Sequence, residues 1–161
     1  MNSCAFILEC TQGRGCLTGA FLEQTIAACS YRGELLGLMA IHLILLSVNR
    51  IASTLTRLAH IYLDCLGTLD KIQNLPPHCI PSKCRYLDVL KNVMLHCSTM
   101  SFTRLVSHVS AHQDNQTKFN NLPRKAQLNY AVDFGAKRAL LSLDTTNLPW
   151  QQKFPLEAIC M

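Results

Sequence analysis

Apolar residues in this chain fall into short runs separated by polar, glycine-containing or proline-containing segments. Alternating and short apolar runs predict four strands, at residues 4–9, 17–24, 60–64 and 102–109. Apolar residues at helical spacing predict four helices, at residues 31–48, from Leu66 to a stop at Pro76-Pro77, at 82–97 and at 126–143. Two glycines within residues 12–15 suit a hairpin turn between the first two strands.

This order of strands and helices predicts an α/β fold, with a mixed sheet covered by helices. Ser30 is placed to cap the long helix, whose apolar residues on nearly all sides predict cover over most of its surface. The apolar stretch from Leu35 to Val48 contains His42 and is shorter than the ~20 residues of a membrane span, which favours a buried helix. We expect one domain over residues 1–143 and an irregular tail over residues 144–161.

Composition supports a single globular domain. The chain has 161 residues, of which 49% are hydrophobic and 16% charged, so bulk disorder is excluded and a sizeable core is possible. The net charge of +5 is compatible with a phosphate-bearing partner. Nine cysteines at irregular spacing, without a secretory signal at the start, predict free and mostly buried thiols in an intracellular compartment, cytoplasm or nucleus.

Three carboxylates occupy informative places in the predicted elements. Glu34 lies in the first turns of the long helix, Asp64 closes a strand, and Asp133 lies near the start of the last helix. Carboxylates that cluster repel one another unless a cation joins them, and Mg²⁺ is held by carboxylates, waters and substrate phosphate. If these three converge, the pattern favours phosphoryl chemistry; taken singly, each is an ordinary helix or strand-end acid.

Four local segments, in this order, resemble those of ribonuclease H domains attached to retroelement reverse transcriptases. Residues 30–38 (SYRGELLGL) resemble the family's helix with Arg, a small residue and Glu before an aliphatic run. Residues 61–69 (IYLDCLGTL) resemble its strand that ends in Asp. Residues 107–114 (SHVSAHQD) resemble its strand leading into a His loop, and residues 128–137 (LNYAVDFGAK) its last helix.

This resemblance implies site residues and a reaction. Glu34, Asp64 and Asp133 match the second, third and fourth metal-binding acids of the family, and His112 matches the loop His associated with proton transfer or product release. Family members cleave the RNA strand of RNA–DNA hybrids with two Mg²⁺ or Mn²⁺ ions, and they distinguish RNA by its 2′-hydroxyls. The implied partners are a hybrid or other nucleic acid and an upstream reverse transcriptase segment, with no membrane.

The resemblance also implies a missing part. The family begins with a central strand that carries the first metal-binding Asp, but no Asp precedes Asp64 in this chain. The strand at residues 4–9 matches the family's second strand, so we expect the first upstream of Met1. Without this strand, backbone groups on both sides of the gap lose their partners. The resemblance implies that its Asp bridges both metals, so its loss weakens metal binding, and we expect very low or no nuclease activity from this chain alone.

One alternative is a non-catalytic fragment that binds nucleic acid through basic side chains. Such binding would fall steeply with salt. A solvated helix face explains the same residues equally well. The basic residues are Arg124, Lys125, Lys137 and Arg138.

The other alternative is a small zinc-binding module. Zinc sites are built from Cys and His ligands, but the spacing here lacks paired CxxC motifs and fits helix-core positions better. The candidate ligands are His78, Cys79, Cys84, His96 and Cys97.

Overall fold

The predicted order of elements is found in the structure, which is a computed structural model. It describes residues 2–13, 15–23, 29–51, 58–76, 79–99 and 103–142; the predicted tail lies outside them. The strands are β1 (Asn2–Glu9), β2 (Cys16–Glu23), β3 (Leu58–Leu63) and β4 (Thr103–His108). The helices are α1 (Ser30–Ile51), α2 (Leu66–Asn74), α3 (Leu87–Thr99) and α4 (Arg124–Leu141). The fold class is therefore α/β, as predicted.

The described strands form two separate two-stranded sheets. β1 and β2 pair antiparallel, from Asn2 opposite Glu23 to Glu9 opposite Cys16. β3 and β4 pair in parallel through the crossover that contains α2 and α3, from Leu58 beside Thr103 to Leu63 beside His108. None of the described strands joins the two pairs, so these strands do not form one continuous sheet, and the mixed sheet lacking its central strand stays a prediction.

The hydrophobic core lies where α1 packs on β1 and α3. Leu35, Leu38, Leu90 and Val93 are its largest fully buried apolar side chains. The buried residues of α1 all lie between Gly33 and His42. Cover over most of this helix was expected, but its second half is only partly covered.

The end of α1 is exposed to solvent. Val48 is 39% exposed and Ile51 is 87% exposed. By length and composition this helix is able to span a membrane, with a mean hydropathy of 1.6 over its most apolar window. One third of that stretch is buried in this fold, and helices in the core of globular proteins can have the same length and hydropathy.

Strand β1 lies between two helices. A Cβ atom added at Gly37 of α1 would lie 3.4 Å from the carbonyl oxygen of Ala5, and one added at Gly135 of α4 would lie 3.6 Å from the Ala5 Cβ. Glycine therefore permits both helices to approach the strand closely.

Two ion pairs hold these helices on the hairpin. The Arg32 Nε of α1 donates to both carboxylate oxygens of Glu23 on β2, each at 2.8 Å. The Arg124 guanidinium at the start of α4 pairs with Glu9 at the end of β1. Each pair thus connects one helix to one strand of the hairpin.

Some helix ends differ from the sequence prediction. Ser30 is the first residue of α1 instead of its cap. α3 begins at Leu87 instead of Ser82, because residues 82–86 form turns and Tyr86 adopts a left-handed conformation, with φ of 57°.

The described cysteines are free, as predicted, but most of them are not buried. Cys4 alone among them is buried, whereas Cys10, Cys16 and Cys79 are exposed and the others are intermediate. Burial therefore does not protect most of these thiols, and the expectation of an intracellular compartment stays a prediction.

Candidate active site

The three predicted acids come from three different elements. Glu34 lies in the second turn of α1, and Asp64 directly follows β3. Asp133 is in the middle of α4 instead of near the start of the helix, because α4 begins at Arg124. The helix dipole therefore does not favour the Asp133 charge, and its neighbours must decide its state.

Glu34 is in direct contact with another acid. Burial, a hydrogen bond with the Asp64 carboxyl, and the negative charges of Asp64 and Asp133 together raise the pKa of Glu34 to about 8. With a pKa of about 8, the Glu34 carboxyl keeps its proton at neutral pH and can donate it in this hydrogen bond. The structure thus brings all three acids within electrostatic range of one another.

Asp133 interacts both with Asp64 and with charged side chains of the exposed cleft. Burial and then the charge of Asp64 raise the pKa of Asp133, whereas His112 and Lys137 lower it, and Asp114 adds a smaller raising effect. Two basic side chains and three acidic side chains, Asp133 included, therefore lie close together at one region of α4.

A cleft of about 210 Å³ opens at this region. Two acids, two basic residues and two aromatic rings form its wall. These residues are His112, Asp114, Tyr130, Asp133, Phe134 and Lys137. The cleft therefore offers both charged groups and apolar ring faces.

The loop that carries His112 is fixed to the end of β3. The backbone N–H of Val109 donates to the Leu63 carbonyl at 2.9 Å, and the His108 ring lies 3.2 Å from the Asp64 carbonyl oxygen. His112 itself is exposed and has φ of 54° in the left-handed region. His is among the residues that tolerate this region, which is enriched at functional loops.

The oxygen donors of Glu34 and Asp64 suit a hard divalent cation. Mg²⁺ is commonly held by one or two protein carboxylates, with waters and substrate phosphate completing its shell. Among the described residues, no group of three or more His, Cys, Asp or Glu side chains is arranged to hold a metal ion. Glu34 and Asp64 therefore offer two such oxygen ligands, and Asp133 adds a negative charge near Glu34.

The candidate zinc ligands do not form a site among the described residues. The Cys97 Sγ lies 3.2 Å from the buried His42 ring, and the His96 Nε2 is buried without a hydrogen-bond partner. His78 lies outside the described residues. The thiol of Cys97 is thus part of a polar contact inside the core.

The four predicted nucleic-acid-binding residues occupy both ends of α4. Lys125, Lys137 and Arg138 are exposed, and Lys137 lines the cleft. Arg124 pairs with Glu9 and also donates to the Gln127 side-chain oxygen at 3.1 Å. Its charge is therefore already partly balanced within the fold.

No protein-family model, curated protein or solved structure matches this chain. The resemblance to ribonuclease H therefore stays an inference from local segments. The effects that Asp64 and Asp133 exert on the pKa of Glu34, and Asp64 on that of Asp133, place these three acids near one another in the fold.

Sequence reasoning identified Lys137 only as a basic residue of the helix, and it missed Tyr130, Phe134 and Asp114 of the cleft. Tyr130, Phe134 and Lys137 recur at intervals of four and three residues, which places them on one face of α4 beside Asp133. That spacing is visible in the sequence, but aromatic residues at helical spacing are usually assigned to the hydrophobic core. Asp114 had no signal in the sequence, because its position depends on the path of the loop after β4.

Proposed function

We propose that this chain is a ribonuclease H-like domain, similar to those of retroelement polyproteins, which acts on the RNA strand of RNA–DNA hybrids with Mg²⁺ or Mn²⁺. The single observation that carries the proposal is the contact between Glu34 and Asp64 beside Asp133. Three acids far apart in sequence gather at the end of a parallel strand pair, where α/β folds usually place their sites.

The roles of the residues follow from their positions. Glu34 and Asp64 would hold the cation, which supplies an activated water and stabilises the leaving oxygen of the phosphodiester. The Glu34–Asp64 pair must release its proton to bind the ion, because carboxylates coordinate when they are ionised. His112, at the wall of the cleft near Asp133, is placed to move a proton or assist product release.

The separation of the described strands into two sheets supports the proposal that a connecting strand is missing from these residues. β1 and β3 belong to different sheets, yet α4 packs against both, and the acids lie between α1, β3 and α4. A further strand that carries the first metal-binding Asp, supplied from outside these residues, would join the two sheets. We therefore propose that the chain alone has very low or no nuclease activity.

Metal titration tests the acid site directly. Calorimetry with Mn²⁺ should detect binding to the unaltered chain, and Glu34→Gln and Asp64→Asn should each weaken it about 10-fold or more. Asp70→Asn is a matched control, because Asp70 is an exposed acid of α2 that accepts a hydrogen bond from Asn74. Equal affinity in all four proteins would contradict the proposed site.

Cleavage of a labelled RNA–DNA hybrid in Mn²⁺ tests the activity. We expect little product from this chain, and more from a version extended at its start by a strand bearing one Asp. Product must disappear with Asp64→Asn in either protein. Cleavage by the unextended chain at rates typical of the family would refute the claim that it lacks an essential acid. Cleavage that survives Asp64→Asn would refute the claim that Asp64 takes part in hydrolysis.

A second candidate function is nucleic-acid binding without catalysis. The exposed basic side chains of Lys125, Lys137 and Arg138 on one helix favour it. It leaves the contact between Glu34 and Asp64 unexplained. Binding of a hybrid in EDTA with no cleavage in any version of the chain would support this reading.

Elemental analysis of purified protein tests the zinc alternative, which requires about one zinc per chain.

A further inference from the structure

Aromatic residues on α4 are exposed beside the acids instead of buried in the core. Phe134 is 56% exposed and Tyr130 is 39% exposed, and both line the cleft. Phe119, in the loop before α4, is 42% exposed, and its ring centroid lies 5.3 Å from that of Tyr130 at an interplanar angle of 57°. Exposed apolar groups that cluster next to charges often mark a binding site.

The groups around these rings are of three chemical kinds. Lys137 and His112 provide cationic or hydrogen-bonding nitrogens, and Asp114 and Asp133 provide carboxylates. The aromatic faces of Tyr130 and Phe134 complete the wall. An apolar peptide would use only the rings and leave two carboxylates facing it without partners, which is costly.

A ribonucleotide matches all three kinds. Its base stacks on aromatic rings, its ribose hydroxyls donate to carboxylates, and its phosphate is attracted by cations. We propose that the cleft formed by His112, Asp114, Tyr130, Asp133, Phe134 and Lys137 binds one unpaired ribonucleotide, with the base on Phe134 and the phosphate towards Lys137. This binding goes beyond the proposed hydrolysis, because it needs neither a metal ion nor a cleaved bond.

The size of the cleft sets the extent of the ligand. Its volume of about 210 Å³ is below the range of about 300–1,000 Å³ for pockets that enclose a whole small molecule. The base and sugar therefore occupy the cleft, with the phosphate at its edge towards Lys137. Any further nucleotides of a strand stay in solvent. Such a site accepts either a free mononucleotide or one nucleotide of a single strand.

The test measures binding in EDTA, so that metal chemistry does not contribute. Adenosine 5′-monophosphate serves as the mononucleotide, ribose 5-phosphate as the same ligand without a base, and a short oligoadenylate RNA as the strand. We expect the mononucleotide or the RNA to bind and ribose 5-phosphate to bind far more weakly. If neither the mononucleotide nor the RNA binds, the proposal is wrong.

Matched variants localise the binding. Phe134→Ala should weaken it about 5- to 150-fold, the range of base–aromatic stacking, and Phe134→Trp should keep it. Leu141→Ala, which removes another exposed apolar side chain of α4, should leave it unchanged. Likewise Lys137→Ala should weaken binding more than Arg138→Ala, because Lys137 lines the cleft. Equal effects of Phe134→Ala and Leu141→Ala would overturn the assignment.

Two comparisons complete the test. Binding of the RNA but not the mononucleotide, lost with Phe134→Ala, assigns the cleft to a nucleotide within a strand; equal binding of both assigns it to a free nucleotide. Asp64→Asn separates this site from the metal site. We expect this variant to keep nucleotide binding and to bind Mn²⁺ more weakly. If the unaltered chain binds nucleotide but no Mn²⁺, the proposed hydrolysis alone is refuted; if it binds Mn²⁺ but no nucleotide, the nucleotide cleft alone is refuted.

Discussion

The Glu34 carboxyl of α1 lies beside the Asp64 carboxyl at the end of β3, and burial together with the hydrogen bond to Asp64 raises the pKa of Glu34 to about 8. The two acids are brought together by folding from different elements and are placed beside a third, Asp133. Such an arrangement is costly when all groups are ionised, because like charges repel in a partly buried region. Acids gathered at this cost are typical of sites that bind a cation or move a proton.

The pKa of Glu34 predicts how stability changes between about pH 4.5 and 8. Its pKa is raised in the folded chain to about 8 from the ordinary 4.5, so the folded state keeps a proton that the unfolded state has released. The stabilising effect is complete below pH 4.5 and is lost as pH rises towards 8. Urea unfolding should show stability falling with pH, with a slope of at most about 1.4 kcal/mol per pH unit for one proton.

Glu34→Gln isolates this effect, because the amide resembles the protonated acid and does not titrate. Between about pH 6.5 and 8, the variant should lose less stability than the unaltered chain. The pKa of Asp133 is also raised, which gives both proteins a further pH dependence of the same sign. Parallel stability curves for the two proteins would show that Glu34 is ionised in the folded state.

His42 predicts the opposite dependence in acid. Burial first, and then the nearby charges of Arg104 and His96, lower the pKa of His42 to about 4 from 6.5, although a contact of 2.7 Å between its Nδ1 and the Leu38 carbonyl opposes the shift. The unfolded chain therefore binds a proton that the folded chain rejects. Stability should fall as pH falls from 6.5 towards 4.

The variant His42→Gln should flatten this acid limb, because glutamine has no proton to gain. His60→Gln, at an exposed position of β3, controls for the loss of a histidine as such. The measurement is urea unfolding at several pH values between 4 and 6.5. An unchanged acid limb in His42→Gln would assign the acid sensitivity to other groups.

Gly19 is required by the ring of Phe6 on the neighbouring strand. A Cβ atom at position 19 would lie 2.5 Å from two ring carbons of Phe6, its direct partner across the hairpin. Gly19→Ala should therefore destabilise the chain by about 1–3 kcal/mol, since overpacking forces the ring away. Gly15→Ala is the control, because nothing lies within 4 Å of a Cβ there, and it should change stability by less than about 0.5 kcal/mol.

A double variant strengthens this prediction. Phe6→Leu shortens the side chain, so it should recover part of the loss caused by Gly19→Ala, which a double-mutant cycle from urea unfolding would measure as coupling. If Gly19→Ala is as stable as Gly15→Ala, the ring does not occupy the position described.

The two basic residues that begin α4 should differ in their effect on nucleic-acid binding. The charge of Arg124 is balanced by Glu9, whereas Lys125 is exposed. If α4 contacts phosphates, Lys125→Ala should reduce the slope of log affinity against log salt by about 0.7–0.9 for one lost contact, and Arg124→Ala should reduce it less. Fluorescence anisotropy with a labelled hybrid at several salt concentrations measures both, and equal reductions would show that Glu9 releases Arg124 on binding.

Much of the local structure was predictable from the sequence. Strand β2 was predicted from Leu17 and is observed from Cys16, because apolar residues bounded by a glycine turn define a strand locally. The helix stop at Asn74 follows from the prolines after it. The start of α3 was not predictable, because the turns before Leu87 depend on a left-handed residue, Tyr86, that no local pattern marks.

Local patterns were enough to identify the order of the elements and the three acids as candidates, because spacing and short motifs concern neighbouring residues. The folded chain was needed to find that Glu34 lies beside Asp64, that the described strands form two sheets, and that Tyr130 and Phe134 line a cleft with Asp133. These are contacts between residues distant in sequence. Their energies depend on burial and separation in space, which a one-dimensional pattern does not contain.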